Sequence, residues 1–374
     1  KRKKQILIFT LIIVCFQIAC SQENKPPILG QEENYSYEVV VDGIFVPWGM
    51  AFIKSEELLV TEQSGILYHV KNGIKNEVEG LPNVYFRGQG GLLDIELHPN
   101  YNENGWIYIS YSSFNDEKKG ANTAIMRFRI KNFQIIDEEI IYQANPFTKS
   151  PNHWGSRIEF DNDGYLYFSI GDRFNRDENP QNIDIDGGKI YRIHDDGKIP
   201  NDNPFVENLN SKKAIFTYGH RNPQGIFLHP KTGEIWTNEH GPKGGDEINI
   251  INKGKNYGWP KITYGINYSG TIITNEKEHP EMEQPLYYWI PSIAPSGFTY
   301  VSTKRYKGWK GSLLTGSLKF KYLERIKLNK NNKVIYREKV ADSIGRVRDV
   351  KESPDGFIYI AVENKGIFKI VPKK

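Results

Sequence analysis

Two polar loops carrying chemically useful side chains lie close together between Tyr218 and Pro260. Gly219-His220-Arg221-Asn222-Pro223-Gln224-Gly225 and Glu239-His240-Gly241-Pro242-Lys243-Gly244-Gly245-Asp246-Glu247 flank a short alternating strand. Loops fixed by a rigid strand are where binding and catalysis concentrate. Arg221 is planar and permanently charged, so it can hold an oxygen on which negative charge develops. Upstream, Asn152-His153-Trp154-Gly155-Ser156-Arg157 offers an imidazole that is largely neutral near pH 7 and can take a proton from a hydroxyl. Gln89, in Gly88-Gln89-Gly90-Gly91, can both donate to and accept from a hydroxyl. Arg346-Val347-Arg348 puts two guanidinium groups on one face of a strand. No GxGxxG follows a strand, and neither GxSxG nor HExxH occurs. Nicotinamide enzymes, serine hydrolases of that type and zincins are therefore unsupported.

These residues need a scaffold, and the sequence repeats one. An alternating apolar strand, a turn rich in Pro, Asp, Asn or Gly, and a second alternating strand recur from Gly49, Asp94, Arg157, Gly225, Gly297 and Asp349, spaced by about 45 to 72 residues. Period-two alternation argues for half-buried strands, and Asn-Asp-Gly or Pro-Asp-Gly turns argue for hairpins. Repeats of this length suit propeller blades. The expected fold is all-β: a six-bladed β-propeller of four-stranded antiparallel blades, against an array of β-sandwiches as the other arrangement. Loops on one face of a propeller converge on its central channel, so motifs far apart in sequence can meet. In such a fold Arg221 can also serve to bridge blades through backbone carbonyls, and a lone histidine is more often structural than catalytic. Asp161-Asn162-Asp163-Gly164 and Asp184-Ile185-Asp186-Gly187 lack the later glutamate of a calcium loop and read as hairpin turns.

GHRNPQG from Gly219, then Gly241-Pro242, Asp246-Glu247-Ile248-Asn249 and Asn256-Tyr257-Gly258-Trp259-Pro260, in this order and spacing, resembles the soluble PQQ-dependent aldose sugar dehydrogenases of the glucose/sorbosone dehydrogenase family. The resemblance runs from about Val46 to Ile370. It implies the same six-bladed fold and oxidation of an aldose at C1 to the lactone, with hydride transfer to pyrroloquinoline quinone (PQQ). His153 matches the general base of an HxGxR motif, and Arg221 completes the catalytic pair. The implied cofactor contacts are Gln89, Arg221, Asn222, Ser292, Lys319, Arg346 and Arg348; Gln89 and Asn152 face the substrate. PQQ carries three carboxyl groups, and Lys319, Arg346 and Arg348 supply three cations. The carbonyls of Gly241 and Pro242 hold the Ca²⁺ that bridges to PQQ, and a second Ca²⁺ uses Glu247 and Tyr257, ten residues apart. His220 is implied to pack the loop.

Two departures bear on specificity. Ile290 stands where glucose-oxidising members carry a tryptophan, and Ser292 where they carry a threonine. Asn152 stands where some members carry another polar residue, which leaves the group that orients the His153 imidazole open. The partners implied are an aldose and an electron acceptor, a cytochrome or a quinone. Two other classes stay in view: a non-catalytic sugar- or protein-binding propeller that keeps the scaffold, and a Ca²⁺-dependent lactonase-type hydrolase, which needs side-chain carboxylates around a central metal.

The N-terminal stretch is read apart from the fold. Lys1-Arg2-Lys3-Lys4 and the apolar run Ile6 to Ile18 form a signal peptide over residues 1–19, too short to span a bilayer comfortably. Ala19-Cys20-Ser21 looks like a bacterial lipobox with Cys20 lipidated, so the protein is expected to be exported and anchored in the periplasm or at the outer membrane, touching membrane only through that lipid. Residues 20–35 read as a tether and 36–374 as the propeller. The formal charge of +4 matches the four basic residues at the start, so the remainder is near neutral and carries no footprint for nucleic acid. Cys15 and Cys20 are the two cysteines, so the propeller has none for a disulfide and relies on its core.

Overall fold

A computed structural model describes residues 25–30, 34–115, 117 and 120–373. The expected signal peptide and Cys20 lie outside the described residues. Six antiparallel sheets form a six-bladed propeller, each expected repeat supplying the inner strands of one blade. The first blade holds Pro47–Lys54, Glu57–Glu62, Ile66–Lys71 and Ile74–Val78, and the second holds Leu92–Leu97, Ile107–Asn115, Gly120–Lys131 and Gln134–Gln143. The third holds Ile158–Phe160, Leu166–Ile170, Lys189–Ile193 and Ile215–Tyr218. The fourth holds Pro223–Leu228, Ile235–Glu239, Asp246–Ile250 and Tyr287–Trp289. The fifth holds Pro295–Tyr300, Ser312–Ser317, Tyr322–Leu328 and Val334–Val340.

The sixth blade closes the ring. Val347–Glu352, Ile358–Val362 and Gly366–Pro372 are completed by Tyr35–Asp42, which pairs with the C-terminal strand from Tyr35↔Pro372 to Asp42↔Gly366. Both ends of the propeller are thus sewn into one sheet, which removes two free edges. The stretch read as a tether also joins the fold: Ile28–Leu29 pairs in parallel with the outer strand of the fifth blade, at Arg337 and Glu338.

Apolar side chains fill the spaces between blades. Leu59 and Leu67 of the first blade meet Ile95, Ile107 and Phe128 of the second, and Leu314 and Leu323 of the fifth meet Val350 and Ile360 of the sixth. Facing the channel, the pattern turns polar. Arg157 bonds Asp94 at 2.9 Å and Asp349 at 3.2 Å, donates to the Gln224 carbonyl and lies 4.1 Å from the Trp48 ring, joining five blades at one buried guanidinium. A buried cation satisfied on every side is an anchor rather than a reagent. Asp161–Gly164 forms the expected hairpin turn. Asp184–Gly187 instead lies in the long connection between Leu166–Ile170 and Lys189–Ile193, where buried Asp186 accepts from Tyr142 at 2.6 Å and the Asn145 N–H at 2.7 Å.

Candidate active site

Strand direction brings the predicted loops to one face. The innermost strand of each blade starts there and the second strand ends there, so His153–Arg157, Gly219–Asn222 and Arg346–Arg348 open from the same end of the channel. His153 is buried at the wall of a cavity of about 250 Å³, together with Asp172, Phe174, Arg221, Pro242, Trp259 and Tyr268. Its Nδ1 lies 2.6 Å from Asp172 Oδ1. Asp172 also accepts from Trp259 Nε1 at 2.8 Å and from the Phe174 N–H at 2.8 Å. Burial opposes the charge on Asp172, but the bonds from His153 and Trp259 and the Arg221 charge outweigh it and hold the carboxyl below its ordinary value. An ionised Asp172 accepts a hydrogen bond from Nδ1–H, which leaves Nε2 with its lone pair. Burial, reinforced by Arg221 and against the pull of Asp172, holds the His153 pKa below its ordinary value, so the ring is neutral near pH 7.

Arg221 sits beside this pair with its guanidinium 5.4 Å from the Trp259 ring. It donates to the carbonyls of His240 at 3.1 Å and Gly241 at 2.8 Å, and its own N–H bonds Glu239 at 2.7 Å. Arg221 therefore bridges loops through carbonyls and also lines the cavity. His220 packs as expected, fully buried, bonded to Thr217 and Glu239 and stacked on Tyr257.

A neighbouring cavity of about 220 Å³ is lined by Gln89, Gln63, Gln224, Arg346, Arg348 and Glu363, among others. Gln89 accepts the His153 N–H at 2.8 Å, linking the two cavities. The two arginines are not free cations: Glu363 pairs with Arg346 at 2.6 Å and with Arg348. Burial opposes the Glu363 charge, but the two guanidiniums outweigh it and hold its carboxyl down. The expected three cations thus reduce to a net of about two once Glu363 is counted. Lys319 is exposed, and no carboxylate pairs with it among the described residues.

Three expected contacts are placed differently. Asn152 lines neither cavity, and its carbonyl is taken by Arg173. The Ser292 hydroxyl is committed to the loops, 2.8 Å from Asp246 Oδ1 and 3.1 Å from the Pro242 carbonyl while accepting from the Gly244 N–H, so it locks the wall rather than facing a ligand. Asn222 is fully buried; its Oδ1 accepts from the Gly155 N–H at 3.0 Å, and its Nδ2 has no partner among the described residues. That orphan donor fits an acceptor atom of a bound group.

Of the expected metal residues, Gly241, Glu247 and Tyr257 line a small cavity of about 10 Å³ with Glu239 and Gly245, whereas Pro242 lines the His153 cavity. Asn249 Nδ2 bonds Glu239 at 3.0 Å and Glu247 at 3.1 Å, holding two carboxylates near each other. Burial, with Glu239 and Asp246 adding to it, pushes the Glu247 carboxyl well up. A hard divalent cation is the group that relieves such a pair. The Tyr257 hydroxyl is used locally, donating to the Ile250 carbonyl and accepting from Asn252, which leaves its carbonyl as the oxygen to offer. Among the described residues no group of three His, Cys, Asp or Glu side chains could hold a metal, so any ion here depends on backbone carbonyls.

Glucose / Sorbosone dehydrogenase is the family description that matches residues 44–369. The chain belongs to the glucose/sorbosone dehydrogenase family. It is 37% identical over 346 residues to aldose sugar dehydrogenase YliI of Escherichia coli, covering 90% of this chain and 92% of the relative. It is 28% identical to quinoprotein glucose dehydrogenase B of Acinetobacter calcoaceticus, covering 90% and 87%. The apo-form structure of the soluble aldose sugar dehydrogenase of E. coli superposes with a TM-score of 0.85 at 36% identity, over 91% of this chain and 100% of that one. The PQQ-bound aldose sugar dehydrogenase of Streptomyces coelicolor gives 0.74 at 26% identity, over 93% and 100%.

Within this family frame, sequence reasoning missed four residues. Asp172 ends the third repeat as Gly171-Asp172-Arg173, and its role was open to a reading of which carboxylate follows a strand aimed at the mouth. Trp259 lay inside the quoted NYGWP and was not given a role. Glu363 ends the last repeat, where it meets the two arginines. Asp246 accepts from the Gly241 N–H at 2.8 Å, Ser292 at 2.8 Å, and the Ile293 and Ala294 N–H groups at 2.7 and 2.8 Å. Buried Asp246 therefore ties the 241–242 carbonyls to the 290–294 loop, and burial pushes its pKa up to about 6 despite those bonds.

Proposed function

We propose that this family member is a PQQ- and Ca²⁺-dependent aldose sugar dehydrogenase that oxidises the sugar C1 hydroxyl to the lactone. The observation that carries the reading is the His153–Asp172 pair, 2.6 Å apart at the wall of a cavity that Arg221 also lines. His153 Nε2 accepts the C1 hydroxyl proton. Asp172 holds the tautomer and stabilises the imidazolium that forms. Arg221 stabilises negative charge on oxygen in a water-poor pocket. Gln89 fixes the His153 backbone, and Trp259 fixes Asp172.

Arg346, Arg348, Lys319 and the Asn222 amide fit the carboxylates and carbonyls of PQQ, which when bound supplies the two-electron acceptor for the C1–H bond. The Glu247–Tyr257 cavity fits Ca²⁺, and the Gly241 and Pro242 carbonyls, each already accepting one hydrogen bond, from Arg221 and Ser292, keep a second lone pair to offer such an ion. The chain's similarity to a quinoprotein and to a PQQ-bound structure supports this cofactor. The lack of a three-carboxylate metal cluster among the described residues weighs against a lactonase-type centre. Export and lipidation at Cys20 rest on the sequence pattern alone.

The test adds PQQ and Ca²⁺ to purified apoprotein with a dye acceptor and a panel of aldoses. Dye reduction that needs both additions and an aldose supports the reading. Stoichiometric PQQ binding with no turnover on any aldose sinks it in favour of a binding propeller.

A further inference from the structure

Large apolar side chains are exposed on the site-bearing face in a way the catalytic reading does not use. Phe45, Phe86, Ile290 and Phe320 are 63%, 56%, 63% and 42% exposed. They come from different blade connections that open on the same face as Arg346 and Arg348, outside the lining of the cavity itself. Phe86 is three residues from Gln89, and Phe320 follows Lys319. The Phe45 carbonyl accepts from the N–H of Asn364, next to Glu363. Ile290 stands over Gly244, so that a Cβ there would meet it at 3.5 Å. Phe174 and Tyr268, also exposed, belong to the other side, where they line the His153 cavity. In blade order Ile290 and Phe320 precede Arg346–Arg348 round the ring, and Phe45 and Phe86 follow, so the four flank the two arginines in an arc on the half of the face away from Phe174 and Tyr268.

Basic side chains outnumber acidic ones along this arc. Arg87, Lys243, Lys319 and Lys321 are exposed beside the apolar residues. Asp342 opposes them and is 3.8 Å from Lys339, while Glu363 is held by its two arginines. The exposed acids Asp177 and Glu178 stand on the far side with Phe174. An apolar patch with a cationic fringe marks a docking surface, and its charge selects a partner of opposite sign.

We propose that this arc docks an acidic one-electron carrier protein that takes the electrons released by sugar oxidation; the proposal rests on the dehydrogenase reading. Each aldose oxidised to its lactone releases two electrons and two protons. The protons go to solvent, and the electrons reduce two carrier molecules in successive encounters. A face pressed into a bilayer would bar a polar sugar from the same mouth, which favours a protein that binds and leaves. The carrier reaches the cation-lined cavity without covering His153.

The experiment uses cytochrome c made acidic by succinylation, with native basic cytochrome c as control. Holoenzyme should bind the acidic form in low salt and release it as ionic strength rises. Arg87→Glu/Lys321→Glu and, separately, Phe86→Ser/Phe320→Ser should weaken that binding about tenfold or more. The same variants should lose reduction of the acidic cytochrome in proportion, while sugar oxidation with a small dye stays at the wild-type rate. Equal affinity of wild type and both variants for the acidic cytochrome overturns the proposal. So does tighter binding of the native basic form, or charge-dependent binding to phosphatidylglycerol vesicles without binding to the cytochrome. If binding follows the arc but no aldose is oxidised with the dye, the docking surface stands and the dehydrogenase reading is what fails.

Discussion

Asp172 Oδ1 accepts from His153 Nδ1 at 2.6 Å, while Asp172 Oδ2 accepts from Trp259 Nε1 at 2.8 Å. One buried carboxylate thus spans the third-blade loop and the long fourth-blade excursion, and it fixes which nitrogen of His153 is free. The pair is the same kind of device that orients histidine in hydrolytic triads, here placed beside a cavity with no nucleophilic serine or cysteine on its wall.

Asp172→Asn should leave the fold and PQQ binding in place and cut turnover by roughly 10²–10⁴-fold, because an amide no longer demands the Nδ1–H tautomer. His153→Gln should cost a similar factor. Stopped-flow turnover with bound PQQ measured separately checks both. A near-normal rate in either variant, with the quinone bound, places the base elsewhere.

The acid limb of activity should lie below the ordinary histidine value of about 6.5, since burial holds the His153 pKa down. Stability follows the same sign. His153 and His240, the latter pushed down to about 3 by burial and by Arg221, bind protons more readily in the unfolded chain. Their contribution is present above pH 6.5 and is lost as pH falls from there towards about 3. Asp246 opposes them: its pKa of about 6 against an ordinary 3.8 gives stability that is full below 3.8 and lost as pH rises through about 6. Thermal unfolding followed from about pH 4 to about pH 7 should therefore show a shallower acid fall in His240→Gln than in the wild type. An unchanged slope would contradict the assignment.

Arg348→Ala should weaken PQQ binding by about 2–5 kcal/mol, because it removes a largely buried charge that a carboxylate needs. Lys319→Ala should cost less, since an exposed ammonium is well screened. Glu363→Ala should lower stability, as it leaves two guanidiniums without their shared carboxylate. Titration of PQQ into apoprotein by fluorescence, alongside unfolding curves, separates these effects. Equal losses for Arg348→Ala and Lys319→Ala would show that the paired arginines are not the main grip.

The blades were legible because alternation and turn chemistry are local properties: each repeat contains its own hairpin, such as Ile158–Phe160 with Leu166–Ile170. The closure of the ring was not legible, because Tyr35 and Pro372 pair at a distance that no periodicity encodes. His153, Arg221 and Gln89 were readable as a set once one face was assumed, and the structure brings them together. The place of Ser292 was not legible because residue type does not tell whether a polar side chain faces the mouth or the neighbouring loops. Asp246, Pro242 and Gly244 are all in reach of its one hydroxyl. Glu363 was invisible for the opposite reason: two arginines two residues apart suggest an external anion until the fold supplies an internal one.

Calcium should stabilise the protein through the Glu247 cavity independently of PQQ. Glu247 and Glu239 share the Asn249 amide, and burial pushes the Glu247 carboxyl well up, so a charged Glu247 without a cation is costly. A bound divalent ion removes that cost, and at a hundredfold excess over its Kd it adds about 2.7 kcal/mol to the folded state. Glu247→Gln removes both the charge penalty and the ligand. The variant should unfold no earlier than wild type in chelator, yet lose more than half of the rise in melting temperature that Ca²⁺ gives the wild type. The Gly241–Pro242 carbonyls are untouched by this change, so Ca²⁺-dependent PQQ binding should survive in the variant at higher metal concentration. An equal Ca²⁺ response in both proteins would show that the ion does not use Glu247. Loss of PQQ binding at saturating Ca²⁺ would instead show that the two metal positions act as one.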